Sequence, residues 1–322
     1  MKTTGLGVII LVAAMVAATG TQADTFGMGA NQFAIDFVNI GYAGNAADIA
    51  FPGASRGYGA VDHNYRIGTL EVTIEQFTKA YAADNRIGSG DEGYWNSGDG
   101  VSTPKVGTGA PVSYVSVWEA MKFANWLTTG DAYTGAYQFT RGLFGGDYGL
   151  TAIDRDAAVA TYGTVYVLPT EDEWYKAGYF KSDASGYSLY ANGSDDAADL
   201  THGTTDGWNY YKDDYAIGSP NYVWETGFGG EEQNGTYDMM GNIAEWTETA
   251  RDGTLKGYRV VRGGTTHGDE YVLRASYFHT SNPYNGGPSP GFRVAVIPEP
   301  SSMAMVGVVS GFGLFIRRKF MV

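Results

Sequence analysis

The chain has 322 residues, 43% hydrophobic and 14% aromatic, enough to bury a sizeable core in one large domain or two. Its 21 Lys and Arg stand against 35 Asp and Glu, a formal net charge of −14. That balance excludes nucleic-acid recognition through a basic face and leaves a solvated acidic surface or cation binding. There is no cysteine, which removes disulfides, thiolate metal sites and cysteine nucleophiles, and 47 glycines disfavour long helices.

In chain order, Met1-Lys2, an apolar run from Leu6 to Ala18, and Thr21-Gln22-Ala23 follow the basic, apolar and small-x-small order of a secretory signal peptide. Cleavage is expected after Ala23, making residues 1–23 the signal peptide; an uncleaved anchor is the alternative. Residues 24–296 show no repeat or long linker and read as one domain. Within it, Thr73-Ile-Glu-Gln76 matches a capping box and predicts a helix to about Ala83. Ser116-Val-Trp-Glu119 predicts a second helix, with Ala120, Met121, Ala124 and Leu127 on one face. Thr170-Glu-Asp-Glu173 predicts a third, whose acidic first turn suits the helix dipole. Short strands are predicted at Tyr65–Thr69, Val165–Leu168, Tyr258–Arg262 and Phe292–Val296. Between them, Arg86–Gly109 and Ser182–Gly218 read as long Gly/Asn/Asp/Ser-rich loops, a length usually reserved for function or disorder.

The carboxyl end, residues 297–322, carries Pro298-Glu299-Pro300, an apolar segment from about Met303 to Ile316, and Arg317-Arg318-Lys319. The apolar run is short for a membrane helix of about 20 residues, and the basic cluster would stay on the cytoplasmic side. These three parts, in this order, resemble the PEP-CTERM sorting signal of Gram-negative bacteria. The resemblance implies transient anchoring in the inner membrane, cleavage near the triplet by an exosortase-type protease, and release to the cell surface, outer membrane or exopolysaccharide matrix. A plain single-pass anchor is the alternative.

Six stretches of the body carry a second resemblance: YRIGTLEVTIEQF (65–77), APVSYVSVWEAMKFANWL (110–127), YVLPTEDEWYKAGYF (166–180), GTYDMMGNIAEWTE (235–248), RVVRGGT (259–265) and GFRVA (291–295). Their order is similar to that of the formylglycine-generating enzyme/sulfatase-modifying-factor domain. This implies an α+β fold, a loop-rich variant of the C-type-lectin-like fold with little regular secondary structure. The family's reaction uses copper held by two cysteines in the segment after Arg-Gly-Gly. Here that segment is Thr265–Leu273, where His267, Asp269 and Glu270 cannot replace the thiolates that favour Cu(I). No copper is expected, and formylglycine formation is not expected either. The histidine-ligated, iron-dependent sulfoxide synthases of the same family draw on an extra helical domain; none is expected here, and the four histidines show no ligand spacing.

The resemblance also implies calcium at GTYDMMGNIAEW, with Asp238 and Glu245 giving side-chain oxygens and Gly241 and Ile243 backbone carbonyls, Asn242 close by. Asp238 stands where the family more often has Asn, and Ala244 where it has an aromatic. A structural turn whose carboxylates accept backbone hydrogen bonds, and a catalytic carboxylate pair, remain the alternatives. A second calcium site would fall in Asn209–Asp214, through Asn209 and Asp213, or that stretch is a solvated acidic loop. Arg262, Arg274 and Arg293 read as internal ion-pair and hydrogen-bond partners, and Trp118, Trp126, Trp174 and Trp246 as core. Ring stacking on a glycan would come from the loop aromatics Tyr94, Trp95, Trp208, Tyr210, Tyr211, Tyr222 and Trp224, with His267 beside them. The expected function is that of an exported, non-catalytic surface or matrix protein binding a glycan or a protein partner. The alternative is an enzyme of the same fold, a diverged metal-dependent oxidoreductase or a carboxylate hydrolase.

Overall fold

The computed structural model describes residues 21–49, 56–88, 108–141, 147–216 and 223–297. Three polar side chains fix where helices begin. Thr73 accepts from the Gln76 N–H at 3.2 Å while Gln76 Oε1 accepts from the Thr73 N–H at 2.9 Å, opening α1 (Ile74–Ala83). The same reciprocal box at Ser116/Glu119 opens α2 (Val117–Thr129), which Gly130 ends in the left-handed conformation. Thr170/Glu173 opens α4 (Glu171–Tyr179). Each cap stabilises its helix by about 1 kcal/mol. A further helix, α3 (Arg155–Tyr162), is not among the sequence expectations. Its cap, Asp154 accepting from the Ala157 N–H at 2.9 Å, has no Glu or Gln to complete a box, so a capping-box search passes over it.

The main sheet is antiparallel, in the order β1 (Gln22–Phe26), β2 (Phe33–Ile40), β3 (Tyr65–Gly68), β12 (Ala295–Ile297), β6 (Val165–Val167). β1 spans the expected cleavage point after Ala23 and pairs with β2 from Gln22↔Phe37 to Phe26↔Phe33. β2 is an addition to the expected strands, although its alternation of buried Phe33, Ile35 and Phe37 with exposed Ala34 and Asp36 is a strand period. The expected strand at Phe292–Val296 is shorter than read. The Phe292 carbonyl instead accepts from the Val72 N–H, in the turn after β3, and the Val294 carbonyl from the Gly68 N–H at the end of β3. A second sheet joins β9 (Glu245–Ala250), β10 (Arg259–Arg262) and β11 (His279–Ser281). Hairpins β4 (Tyr137–Arg141)/β5 (Asp147–Ile153) and β7 (Tyr211–Lys212)/β8 (Asp214–Tyr215) complete the set.

The core lies where α1 and α2 meet the chain entering β12. Phe123 of α2 stacks on Phe77 of α1 at 5.7 Å and meets Phe292 edge-on at 5.5 Å. Trp118, Trp126, Trp174 and Trp246 are all buried, as expected from the motifs. The second long loop, over residues 182–216, is tied down by its own polar side chains, while most of Arg86–Gly109 lies outside the described residues. Asp195 accepts from the Leu189 N–H at 2.8 Å, and Asn192 accepts from the Ser194 N–H at 3.0 Å. The result is a mixed α/β fold with four helices among the described residues and long irregular connections.

Candidate functional site

The loop 235–246 winds tightly because Asp238, Gly241 and Asn242 all take positive φ, at 60°, 85° and 51°. Gly241 is required twice over: its φ is left-handed, and a Cβ there would lie 2.2 Å from the Asn209 carbonyl oxygen. That close approach lets the Asn242 N–H donate to the Asn209 carbonyl at 2.8 Å, and Asn209 Nδ2 to Asn242 Oδ1 at 3.0 Å. Asn242 Oδ1 also accepts from the Trp224 N–H at 3.1 Å, while its amide nitrogen donates to Glu71 Oε2 at 3.0 Å. One side chain therefore ties four segments together.

Asp238 and Glu245 lie buried in this loop, and each already has protein donors on both oxygens. Trp224 Nε1 reaches Asp238 Oδ1 at 2.9 Å and the Gly227 N–H reaches Oδ2 at 2.7 Å. Glu245 takes Trp174 Nε1 at 2.7 Å and the fork of Arg293, Nε at 2.7 Å and Nη2 at 2.6 Å. Arg293 also donates to the carbonyls of Gly68, Thr69 and Tyr237. Ile243 is buried in the same loop.

Two further buried carboxylates share this charge environment, and neither is among the expected ligands. Glu232 accepts from Thr236 Oγ1 and from the N–H groups of Met239 and Met240. Glu71 accepts from Asn242, and its Oε1 has no hydrogen-bond partner among the described residues. Four buried carboxylates thus surround a single guanidinium. Burial pushes Glu232 up to about 8, with Arg293 opposing the shift. Burial also raises Asp238, against the pull of the Gly227 and Trp224 donors. Glu71 is raised well above the carboxylate range by burial, and then by the charges of Asp238 and Glu245. The sequence signal for Glu71 was present: an acid between Leu70 and Val72 in an otherwise apolar turn.

The calcium reading meets this geometry only in part. A cation bound by Asp238 and Glu245 would have to replace donors these groups already hold, and Glu71 Oε1 is the one carboxylate oxygen of the cluster left for it. Among the described residues no group of three or more His, Asp or Glu side chains is arranged to hold a metal ion. The second expected site is split. Asn209 is buried against Gly241, whereas Asp213 sits exposed at the turn of the β7/β8 hairpin with φ 61°.

The expected stacking aromatics need correcting. Trp208, Tyr210 and Trp224 are buried, because the loops that carry them fold back under the 235–246 loop, so their faces cannot receive a ligand. Trp95 and the sorting residues Pro298, Glu299, Pro300, Arg317 and Arg318 lie outside the described residues, as do Tyr94 and Tyr222. What the surface does present is a row of three rings. Tyr211 meets Tyr215 at 5.3 Å, and Tyr215 meets the exposed His267 at 5.4 Å, both edge to face. The Tyr211 N–H donates to the Gly268 carbonyl at 2.8 Å, pinning the hairpin to the segment after Arg-Gly-Gly.

A polar cavity of about 390 Å³ opens at the start of α4, lined by Arg56, His63, Arg155, Glu171, Glu173 and Arg251 among others. Its charges are largely paired across its walls. Arg155 binds Glu173 at 2.8 Å and Glu248 at 3.0 Å; Arg262 behind it binds Glu171, which also pairs with Arg56 at 2.6 Å. Burial works against ionised Glu173, yet Arg155 and His63 hold it down at about 2. His63 is raised by its hydrogen bond to Glu173, with burial opposing and Asp62 adding a second carboxylate at 2.9 Å. Arg262 and Arg293 are the internal ion-pair partners expected of them; Arg274 is half-buried and donates to Tyr190 Oη at 3.1 Å.

Many solved chains share this fold. One, described as CarF, is 22% identical, covers 82% of this chain and 98% of its own, and has a TM-score of 0.57. PvdO from Pseudomonas aeruginosa is 16% identical, with coverage of 85% and 97% and a TM-score of 0.52. At these identities the likeness concerns the fold. No curated protein matches the chain. Residues 42–297 match the sulfatase-modifying factor enzyme 1-like domain, a span that holds both sheets beyond β1 and β2, the 235–246 loop and the ring row, and the chain is a member of that family.

Proposed function

We propose that the protein is an exported, non-catalytic member of its family that uses the loop face around the Arg-Gly-Gly segment to bind a glycan or a protein partner. The observation that carries this reading is the row Tyr211–Tyr215–His267, in which the exposed hairpin ring Tyr211 and half-buried Tyr215 lead to His267 on the segment where the family resemblance places its copper. Rings that are apolar on one face and polar at the tip suit a wet, reversible interface. The chain supplies no thiolate anywhere in its 322 residues, so the copper chemistry of the family has no ligands here. Calcium enters this reading as a structural ion at the 235–246 loop, where Glu71 Oε1 is the carboxylate oxygen without a hydrogen bond among the described residues.

The test is a glycan-array and pull-down screen of the purified protein with calcium present, repeated with Tyr211→Ala and Tyr215→Ala. Capture that weakens in both variants is expected. A defined turnover with no captured ligand would reject the reading and favour the enzyme alternative, with copper or iron in the purified protein marking the oxidoreductase branch.

A further inference from the structure

The ring row is bordered by unequal charge. The hairpin carries Lys212 against Asp213 and Asp214, and all three are exposed. The adjoining segment carries Arg274 against Asp269 and Glu270, so carboxylates outnumber cations by four to two across the two stretches. Arg274 is further committed to Tyr190 Oη at 3.1 Å and to the ring of Tyr271 at 5.3 Å from its centroid. Lys212 is then the outward-facing cation on the hairpin. Tyr211 is 38% exposed, so its ring and the hairpin carboxylates are offered together.

We propose that this face binds a cationic amino-sugar polymer, with protonated amines held between the tyrosine faces and the carboxylates of the hairpin and the 265–274 segment. The proposal rests on the glycan reading above and narrows it. An ammonium is attracted to the negative face of a tyrosine ring and to a carboxylate alike. A polymer of uronic acids would meet like charge from Asp213, Asp214, Asp269 and Glu270, and a neutral glycan would gain from the rings alone. The net charge of −14 extends the same preference to longer range, drawing in polycations and repelling polyanions.

The experiment is titration calorimetry of the full chain with three probes: a glucosamine oligosaccharide at mildly acidic pH, its fully N-acetylated counterpart, and an oligouronate. The glucosamine oligomer is expected to bind tightest, each ammonium–ring contact adding roughly two- to fivefold over the acetylated form. Its affinity should fall with added salt, as screened charge requires. The double change Asp213→Asn and Asp214→Asn should weaken the glucosamine oligomer but leave the acetylated one unchanged. Asn tolerates the left-handed backbone at position 213, so the turn is kept. Equal binding of the charged and acetylated oligomers, or a preference for the oligouronate, would overturn this inference and leave the glycan reading standing. Binding of none of the three would overturn this inference and the glycan reading it rests on, and a protein captured in the pull-down would then support the protein-partner form of the proposed function.

Discussion

Two buried charge clusters stand in one fold, and they are balanced in opposite ways. At the start of α4, Glu171, Asp172, Glu173 and Glu248 face Arg56, Arg155, Arg262 and His63, so nearly every carboxylate has a cation within hydrogen-bond reach. Under the 235–246 loop, Glu71, Glu232, Asp238 and Glu245 share Arg293 as the one guanidinium among the described residues. Glu171 and Glu173 are as buried as the carboxylates of the second cluster, although Arg56, His63 and Asp172 face solvent in part; the number of guanidiniums differs. Where cations are supplied, Glu173 is held at about 2, and where they are lacking, Glu232 rises to about 8. The first cluster is a set of ion pairs that needs nothing further. The second needs protons or a cation to be stable, and this makes it the place where pH and metal would act on the fold.

The sharpest way to break this contrast is to remove each cluster's central arginine. Arg293→Met strands Glu245 and leaves the carbonyls of Gly68, Thr69 and Tyr237 without a donor, at an expected cost of about 3–5 kcal/mol. Arg262→Met leaves Glu171 still paired with Arg56, so its cost should be smaller by at least ~1 kcal/mol. Denaturant unfolding of the two variants decides the point; equal losses would mean that the count of cations does not set the balance.

Next in size is the loop itself. Gly241→Ala places a Cβ against the Asn209 carbonyl at a left-handed φ and should cost about 1–3 kcal/mol. An unchanged melting temperature would show that Asn209 and the loop can move apart freely.

The pH dependence follows from the sign of each shift. Glu232 is bound to a proton in the folded state up to about 8, whereas the unfolded group releases it near 4.5. Its contribution is therefore full below the lower value, falls as pH rises between the two, and is gone above the higher. Glu71 and Asp238 act in the same direction. Glu173 is opposite: its contribution is present above 4.5 and is lost as pH falls through about 2. Thermal melts should therefore show stability declining from mildly acidic pH towards about 8, with Glu232→Gln flattening that slope. A rise in stability over the same interval would contradict the assignment. Calcium should stabilise most at the alkaline end, where its ligands have lost their protons, and Asp238→Ala or Glu71→Gln should remove the effect. Identical melts with and without a chelator across that range would eliminate calcium from this loop.

The smallest expected effect lies on the surface. Arg56→Ala removes exposed-side ion pairs to Glu171 and Asp172, and should change stability by no more than about 1 kcal/mol, since Arg262 still holds Glu171. A larger loss by the same melts would promote the cavity wall to a structural element.

Much of the fold was legible in local sequence. The three capping boxes named three of the four helices among the described residues because the box is a contact between residues only three apart. The motif tryptophans read correctly as core, since they lie within elements whose apolar faces repeat. The candidate site was legible only in part. Asp238, Gly241 and Glu245 could be named, but Glu71, more than 150 residues away in the chain, could not be joined to them from spacing. The loop aromatics were misread for the same reason. Trp208, Tyr210 and Trp224 sit in polar, glycine-rich sequence that looks exposed, and they are buried because the 235–246 loop folds over them.

By itself, then, the sequence determined the family pattern, the helix starts, the lack of thiolate chemistry and the acidic surface, all of which depend on residue type and short spacing. Tertiary structure decided which carboxylates received a guanidinium and which did not, and which rings were left facing water. Both depend on the meeting of distant segments, where burial sets the cost of each charge and the partner present sets whether that cost is met.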